Sequence, residues 1–511
     1  MPAMRRGLGI HQQKSPRNWN MLTSFHLRNF KSFQQDAVLP LASLTVLIGA
    51  NAAGKSNALE GLRLLSWLAQ GNKLGAIQHA VNQTDQLVRG RISDIFQKDK
   101  PRFGLGCTME GMPGAGKLDM ELELRADDLH IVAERMGDDS GIPLYDMDQA
   151  AKGRSTEARV AYNNFSKGGK KPHIPVSDQM AVFSQLDSPA SFDARHKNAQ
   201  RKIPQACKHY QSVLSNILFL DPVPARMRDY SFREDKQLGS DGANLSSVLY
   251  RLCYRYKEAE DNYEQEDYDQ EEHSEGDEIH WDFPPGSGMP SETLMDFAEE
   301  CARVDGFSPE PDLPAQRQKI LSFVQSLPEQ DIQEISFLRG PRNDVMVQLV
   351  ESFGGVPRAC EAALLSDGTL RVLAIAAAML SAPEGSLVVI EEIDNGVHPG
   401  RARHLLERIQ TVAEERKLRV LLSTHNPAML DALPDRAVPD VVFCYRDPKL
   451  GDSRLVRLGS LPDAPDLLIP DTLGYLMTSG ALDRFVKNRQ DPQARKEKAL
   501  AWLASLKTTG Q

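Results

Sequence analysis

The residues best spaced to do chemistry open at position 49. Gly49-Ala50-Asn51-Ala52-Ala53-Gly54-Lys55-Ser56 is a complete G-x-x-x-x-G-K-S stretch. Backbone N–H groups of a glycine-rich turn, with the positive end of the following helix, cradle phosphates. In that geometry Lys55 reaches the outer phosphates, the Ser56 hydroxyl stands on a magnesium ion, and Asn57 begins the helix beside it. The flanks supply the required context. Leu44 to Ile48 reads as a buried parallel strand, and residues 57–65 repeat apolar positions at helical spacing. The stretch points to a nucleoside triphosphate site.

Three downstream groups offer the rest of a hydrolytic site. Ser386 to Ile390 is an apolar strand ending in Glu391-Glu392. One carboxylate at such an edge holds a magnesium ion and its neighbour polarises the attacking water, which assigns Glu391 to the metal and Glu392 to the general base. Val420 to Ser423 is a second strand, ending in Thr424-His425-Asn426-Pro427, where His425 can bond the γ-phosphate and the water. Leu365-Ser366-Asp367-Gly368 precedes an apolar helix from about Thr369 to Ser381. A hydroxyl with close N–H groups at a helix start suits an anion, though Ser-Asp-Gly serves equally as a cap and turn. A decoy also occurs. Gly111 to Lys117 mimics a second phosphate loop, but Leu118 replaces the hydroxyl residue and strand patterning follows it.

The elements that must position these groups read as follows. Leu22–Phe30 and a segment near Ala37–Leu39 are strands, and 103–109 with 118–124 form an antiparallel hairpin. Residues 137–205 read as long loops or small strands, and Val213–Leu220 as a buried strand. That strand runs into Asp221-Pro222-Val223-Pro224-Ala225-Arg226-Met227-Arg228, whose arginines either monitor a nucleotide or are ordinary surface charges. Helix is expected from Ser246, over Ser291–Val304 and over Ala315–Ser326, with strand pattern returning at Ile335–Val350. Glu258 to Glu278 holds twelve carboxylates and no Lys or Arg, so it reads as a solvated, partly disordered insertion.

Composition excludes several classes. The 511 residues are 41% hydrophobic and 25% charged, as in a soluble globular protein. A net charge of −10 argues against a basic nucleic-acid coat; Arg5-Arg6 and Lys167-Gly168-Gly169-Lys170-Lys171 are local exceptions. Six scattered cysteines without a C-x-x-C pair fit a reducing cytoplasm and no zinc site. The most apolar stretch, Val372–Leu380, is too short to span a bilayer, and residues 1–20 lack a signal peptide's apolar region.

Taken in order, the phosphate loop, Leu365-Ser366-Asp367-Gly368, Glu391-Glu392, His398-Pro399 and Ser423-Thr424-His425-Asn426-Pro427 resemble an ABC-type ATPase of the RecF/SMC/OLD branch. Within that branch the chain is similar to the short prokaryotic OLD-like ATPases of defence and DNA-maintenance operons. Leu27-Arg28-Asn29-Phe30-Lys31-Ser32-Phe33 and Phe219-Leu220-Asp221-Pro222 through Arg226 extend the likeness over about residues 21–480. The resemblance implies an α/β P-loop head with a mixed sheet core, an antiparallel β subdomain and a helical subdomain with insertions. It implies ATP and Mg²⁺ as ligands, Lys31 near the nucleotide, and Asp394 near a dimer seam. In a homodimer or higher even oligomer, Ser366 and Gly368 of a second copy would close over the γ-phosphate. The corresponding layout is a flexible leader (1–20), the first part of the head (21–230), a helical insertion (231–345), the second part of the head (346–445) and a helical cap (446–511).

Two departures qualify this. Glu391 stands where the wider superfamily has Asp, which allows slow turnover, and Asp367 replaces a glycine and brings a carboxylate toward a second copy's phosphates. No coiled-coil arms and no acidic D-x-D pair after His425 are found, so nuclease chemistry is expected in another polypeptide. The leading expectation is a cytoplasmic ATP-driven switch regulating a separate nuclease or toxin in anti-phage defence. The alternatives are a RecF-like ATPase that binds DNA itself and a nucleotide-stabilised scaffold with negligible hydrolysis.

Overall fold

The computed structural model describes residues 21–77, 87–254, 313–325, 331–463 and 471–487, apart from residues 99, 126–127, 139–140, 154, 169 and 354. The expectations for the leader, the acidic segment 258–278 and Ser291–Val304 lie outside the described residues.

The strand before the phosphate loop, β3 (Thr45–Ile48), is buried at every position and forms the heart of a six-stranded sheet. Its partners are β10 (Leu218–Leu220), β15 (Leu387–Ile390), β16 (Arg419–Ser423), β17 (Val441–Arg446) and β18 (Ser453–Arg457), in the order β10-β15-β16-β3-β17-β18. All neighbours pair in parallel except β17 with β18. Both faces are covered, so the strands are apolar runs and not alternating ones.

Alternation decides instead which core each residue joins. Val46, Ile48, Val388, Ile390, Val420, Leu422, Val441 and Phe443 pack on one face. Leu47, Leu387, Val389, Leu421, Val442 and Cys444 pack on the other. The second face carries helix α1 (Lys55–Ala69), which backs onto an antiparallel sheet. That sheet has the order β2-β1-β4-β5-β6-β7-β8-β9. It comprises β1 (Leu22–Arg28), β2 (Ala37–Pro40), β4 (Arg102–Met109), β5 (Lys117–Arg125), β6 (Asp128–Gly137), β7 (Tyr145–Gln149), β8 (Glu157–Tyr162) and β9 (His173–Ser177). The approach of α1 to β1 is close: a Cβ at Gly61 would stand 2.5 Å from Leu27 Cδ2.

Two helices complete this half, the short α2 (Val182–Gln185) and α3 (Lys197–Ser215). Here the sequence expectation is corrected. Val213–Leu220 is not one strand, because Val213–Ser215 closes α3 and only Leu218–Leu220 is β. Ala199, Ile203, Ala206, Cys207, Tyr210 and Leu214 bury one side of α3, and this 3.6-residue pattern extends into the apolar run.

The other face of the parallel sheet packs on α6 (Asp367–Ser381), α7 (Pro399–Glu415) and a subdomain containing α4 (Leu245–Cys253) and α5 (Pro314–Val324). The region expected as a helical insertion is partly sheet. β11 (Ser231–Phe232), β12 (Asp331–Arg339), β13 (Asp344–Phe353) and β14 (Val356–Glu361) are antiparallel about β13. Near the chain's end, α8 (Pro427–Asp431) packs against α9 (Leu473–Thr478), which leads into α10 (Ala481–Lys487). β17 and β18 straddle the boundary expected at 445/446 and belong to the main sheet. No described helix is long and apolar enough to cross a membrane.

Candidate functional site

The sheet order brings the candidate residues to one edge. Leu422 of β16 pairs with both Ile390 of β15 and Val46 of β3, so Gly49, Glu391 and Thr424 leave neighbouring parallel strands on the same side. The carboxyl edge of such a sheet is where α/β proteins place ligands. Asn51, Ala52, Gly54, Lys55, Ser56, Asn57, Glu391, Glu392, Ser423, Thr424 and His425 line one cavity of about 360 Å³ there, with Arg89 and Arg446.

The loop is held open by its neighbours. Gly49 and Gly54 have φ of 147° and 119°, and Ala52 a φ of 62°. A Cβ at Gly49 would stand 2.1 Å from the Cys444 carbonyl oxygen, and one at Gly54 2.3 Å from Ser453 Oγ. The β17–β18 hairpin grips the loop's back. Arg446 Nε donates to the Ala52 carbonyl at 3.0 Å, and Ser453 Oγ donates to that of Ala53 at 2.5 Å. Asn57 Nδ2 reaches Ser32 Oγ at 2.8 Å, tying in the turn after β1. Lys55 Nζ donates to the carbonyls of Gly49 and Ala50 at 2.7 and 3.2 Å, and burial lowers its pKa. No carboxylate occupies the first turn of α1, so its N-terminal partial charge is left for an anion.

Glu392 carries backbone strain. Its φ is 47°, a region that costs a non-glycine residue on the order of 1 kcal/mol or more. The conformation is fixed by its N–H donating to Ser423 Oγ at 3.1 Å, while Asn395 Nδ2 donates to its carboxylate at 2.6 Å. Glu391 takes an ion pair from Arg63 of α1, whose guanidinium also lies 5.3 Å from the Phe219 ring. Burial raises the Glu391 pKa against the opposing pull of Arg63. Asp221, at the end of β10, is likewise raised by burial, then by the nearby Glu392.

Asp394 faces inward. Its carboxylate accepts from Thr424 Oγ1 at 2.7 Å and lies 3.6 Å from His425 Nδ1, so it orients those two side chains. Lys31 stands behind the cavity wall, in contact with a residue that lines it. Its ammonium pairs with Glu60, which is 3% exposed, and donates to the Arg89 carbonyl at 2.8 Å; Lys31 does not line the cavity. Arg89, which the sequence reading missed, does line it and bonds the same Glu60 through Nε at 2.6 Å. Nothing in the pattern around Val88-Arg89-Gly90 marks it out.

Ser366 and Gly368 lie outside this cavity, at the start of α6. Ser366 caps that helix, its Oγ accepting from Thr369 N at 3.1 Å. Gly368 abuts the Gly396 carbonyl, where a Cβ would come within 2.5 Å. Asp367 is engaged from its own chain: Arg228 donates to its carboxylate at 2.5 Å and to the carbonyls of Ala363 and Leu365 at 2.9 and 2.7 Å. Arg226 instead pairs with Asp241 at 2.8 Å. The decoy turn is closed by Asp138, whose carboxylate accepts from Gly114 N and Gly116 N, so its N–H groups face an anion already.

Magnesium fits the donor chemistry. Ser56 and Glu391 bring a hydroxyl and a carboxylate to the same cavity, and Mg²⁺ takes one or two such oxygens beside phosphates and water. Among the described residues no group of three or more His, Cys, Asp or Glu could hold a metal without a ligand's help.

Comparison with known proteins agrees with this class of site. Residues 21–107 match the family model described as "AAA ATPase domain", and residues 316–431 match "AAA domain, putative AbiEii toxin, Type IV TA system". The DNA replication and repair protein RecF of Trichormus variabilis is 31% identical over 112 residues, 22% of this chain and 25% of that protein. RecF of Picosynechococcus is 51% identical over 47 residues, 9% of this chain and 12% of its own length. The chain thus spans about a quarter or less of the length of these curated relatives. A Pyrococcus furiosus Smc head domain, solved bound to the C-terminal domain of ScpA, aligns over 88% of this chain and 99% of its own at 12% identity, with a TM-score of 0.41. The fold and site define a P-loop ATPase head. Both parts of that head match ATPase family models, and the chain is similar to the ABC-type heads of the RecF/SMC branch.

Proposed function

We propose that the protein hydrolyses ATP with magnesium and uses the cycle as a conformational switch. The observation that carries this is the single cavity joining the phosphate loop, Glu391-Glu392 and Thr424-His425. Loop N–H groups and the α1 N-terminus bind the phosphates, and Lys55 leaves its loop carbonyls for the β/γ oxygens. Ser56 and Glu391 hold the metal, which neutralises phosphate charge when bound. Glu392 accepts the proton of the attacking water, held in place by Asn395 and Ser423, while His425 bonds the γ-phosphate, positioned by Asp394. Ser366 and Gly368 of a second copy close the site, since they lie outside the cavity of their own chain. Opening and closing would then be read by a separate effector, a nuclease or toxin. The match of residues 316–431 to a family described as a putative toxin of a toxin–antitoxin system supports a place in such a system, and an OLD-like role in anti-phage defence is the reading we favour.

Removing the general base should lower turnover about 10²–10⁴-fold while sparing binding. Glu392→Gln is therefore expected to accumulate as an ATP-bound dimer in light-scattering chromatography. Wild-type turnover in that variant would sink the assignment. A second reading, a DNA-maintenance ATPase, is favoured by the similarity to RecF.

A further inference from the structure

The carboxylate assigned to the metal comes with a guanidinium of its own. Ser56 and Arg63 stand seven residues apart on α1, about 20° short of two full turns, so they share one side of the helix. Helical side chains lean toward the N-terminus, which brings Arg63 back along that side toward Ser56. There its Nη2 forms an ion pair with Glu391 Oε1. Both partners are mostly covered, the Arg63 side chain 20% exposed and that of Glu391 18%. Glu391 lines the nucleotide cavity and Arg63 does not, so the guanidinium holds the carboxylate from behind the wall. Oε1 is thereby taken, while Oε2 accepts no hydrogen bond among the described residues.

Neither end of this contact is loose. The Glu391 N–H donates to the Leu220 carbonyl at 2.9 Å and that of Glu392 to Ser423 Oγ at 3.1 Å, so strands on both sides fix the backbone. The Arg63 guanidinium lies 5.3 Å from the centre of the Phe219 ring, one residue before Leu220 on β10. What remains to Glu391 is side-chain rotation, about one bond more than an aspartate would have, and Arg63 takes up that freedom. Solvation alone does not call for the pair. A carboxylate on a polar cavity wall can be hydrated there, and a covered ion pair is by itself weak evidence for stability.

We infer that Arg63 is a positioning residue that sets the cation selectivity of the site. By holding Glu391 Oε1 it leaves a single carboxylate oxygen for a metal ion, which favours Mg²⁺ over Ca²⁺. The physical basis is the number of oxygens each ion takes from one carboxylate. Mg²⁺ demands compact octahedral geometry and keeps several waters, so one oxygen suits it. Ca²⁺ accepts roughly six to eight oxygens in looser geometry and readily takes both oxygens of a glutamate. A pinned Oε1 forbids that second mode. The charge of Arg63 opposes both ions alike, since both are divalent, so the ratio of their affinities separates pinning from charge. The inference rests on the magnesium-ATP reading and adds to it the residue that excludes the larger ion.

The test is calorimetric binding of the imido analogue of ATP, which is not hydrolysed, to the full chain in saturating Mg²⁺ and in saturating Ca²⁺. The wild type should bind more tightly with Mg²⁺. Arg63→Met keeps much of the side chain's length and loses its donors, so the ratio of the two affinities should fall about tenfold, as when a group that orients a metal ligand is removed. Arg63→Lys keeps the charge on a flexible stem without the planar fork, so the ratio should fall in the same direction by about threefold. A purely structural role would lower the melting temperature and leave the ratio alone. A wild type without preference for Mg²⁺, or an unchanged ratio in every variant that folds, would overturn the inference while leaving the magnesium-ATP reading intact. Wild-type binding indifferent to the presence of either ion would instead overturn that reading, and the inference with it.

Discussion

At the scale of single residues, the site combines strain with pairing. Glu392 keeps a left-handed backbone because Ser423, Asn395 and the β15–β16 pairing over-determine it. Lys55 is desolvated and satisfied by two carbonyls of its own loop, so a phosphate bound there would have to replace those contacts. Lys55→Ala removes the only cation of the loop and is expected to weaken nucleotide affinity at least tenfold in calorimetry; unchanged affinity would contradict the phosphate role. Arg228 is the residue whose importance the structure raised most. It satisfies the end of the turn before α6 and Asp367 together, with a fork that a lysine lacks. Arg228→Ala should cost about 1–3 kcal/mol, visible as a lower melting temperature, and Arg228→Lys should recover little of it. Full recovery by lysine would show that charge alone suffices.

At the scale of elements, the antiparallel sheet holds a titratable joint. Glu134 of β6 is fully buried and accepts from Tyr145 Oη, Val182 N and Phe183 N, joining β7 and the start of α2 to the sheet. Burial, opposed by those donors, raises its pKa from 4.5 to about 7. A raised folded-state pKa gives stability that is complete below the unfolded value and lost as pH climbs through the folded one. The wild type should therefore lose on the order of 3 kcal/mol relative to Glu134→Gln between pH 4.5 and 7. Denaturant melts of both at pH 5 and pH 8 would show it, and parallel pH curves would refute it. The β17–β18 hairpin is the other decisive element, since it braces the phosphate loop from residues nearly 400 positions later.

At the scale of the whole molecule, the parallel sheet divides two cores and carries the cavity at its carboxyl edge. Ser366 and Gly368 stand at the start of α6 outside that cavity, Gly368 against the Gly396 carbonyl. If these belong to one composite site across a two-fold dimer, two dead variants should complement each other. Mixing Lys55→Ala with Ser366→Arg pairs both defects at one site of a heterodimer and leaves the other site intact. About a quarter of wild-type turnover is then expected from a statistical mixture. No recovery above either variant alone would exclude the shared site.

Motif chemistry and apolar patterning were legible in the sequence because each is local. The phosphate loop needs only its own glycines, flanking strand and helix, and β15 and β16 announce themselves as apolar runs ending in Glu391-Glu392 and Thr424-His425. Short-range patterns missed what long-range packing settles. The helical phase of α3 overrode a strand-like run at Val213–Ser215. Lys31 went to Glu60 while Arg89 took a place in the cavity, and Arg228 found Asp367 across 139 positions. Side-chain reach and charge pairing depend on which elements meet, and that was decided only when the parallel sheet brought its strand ends to one edge.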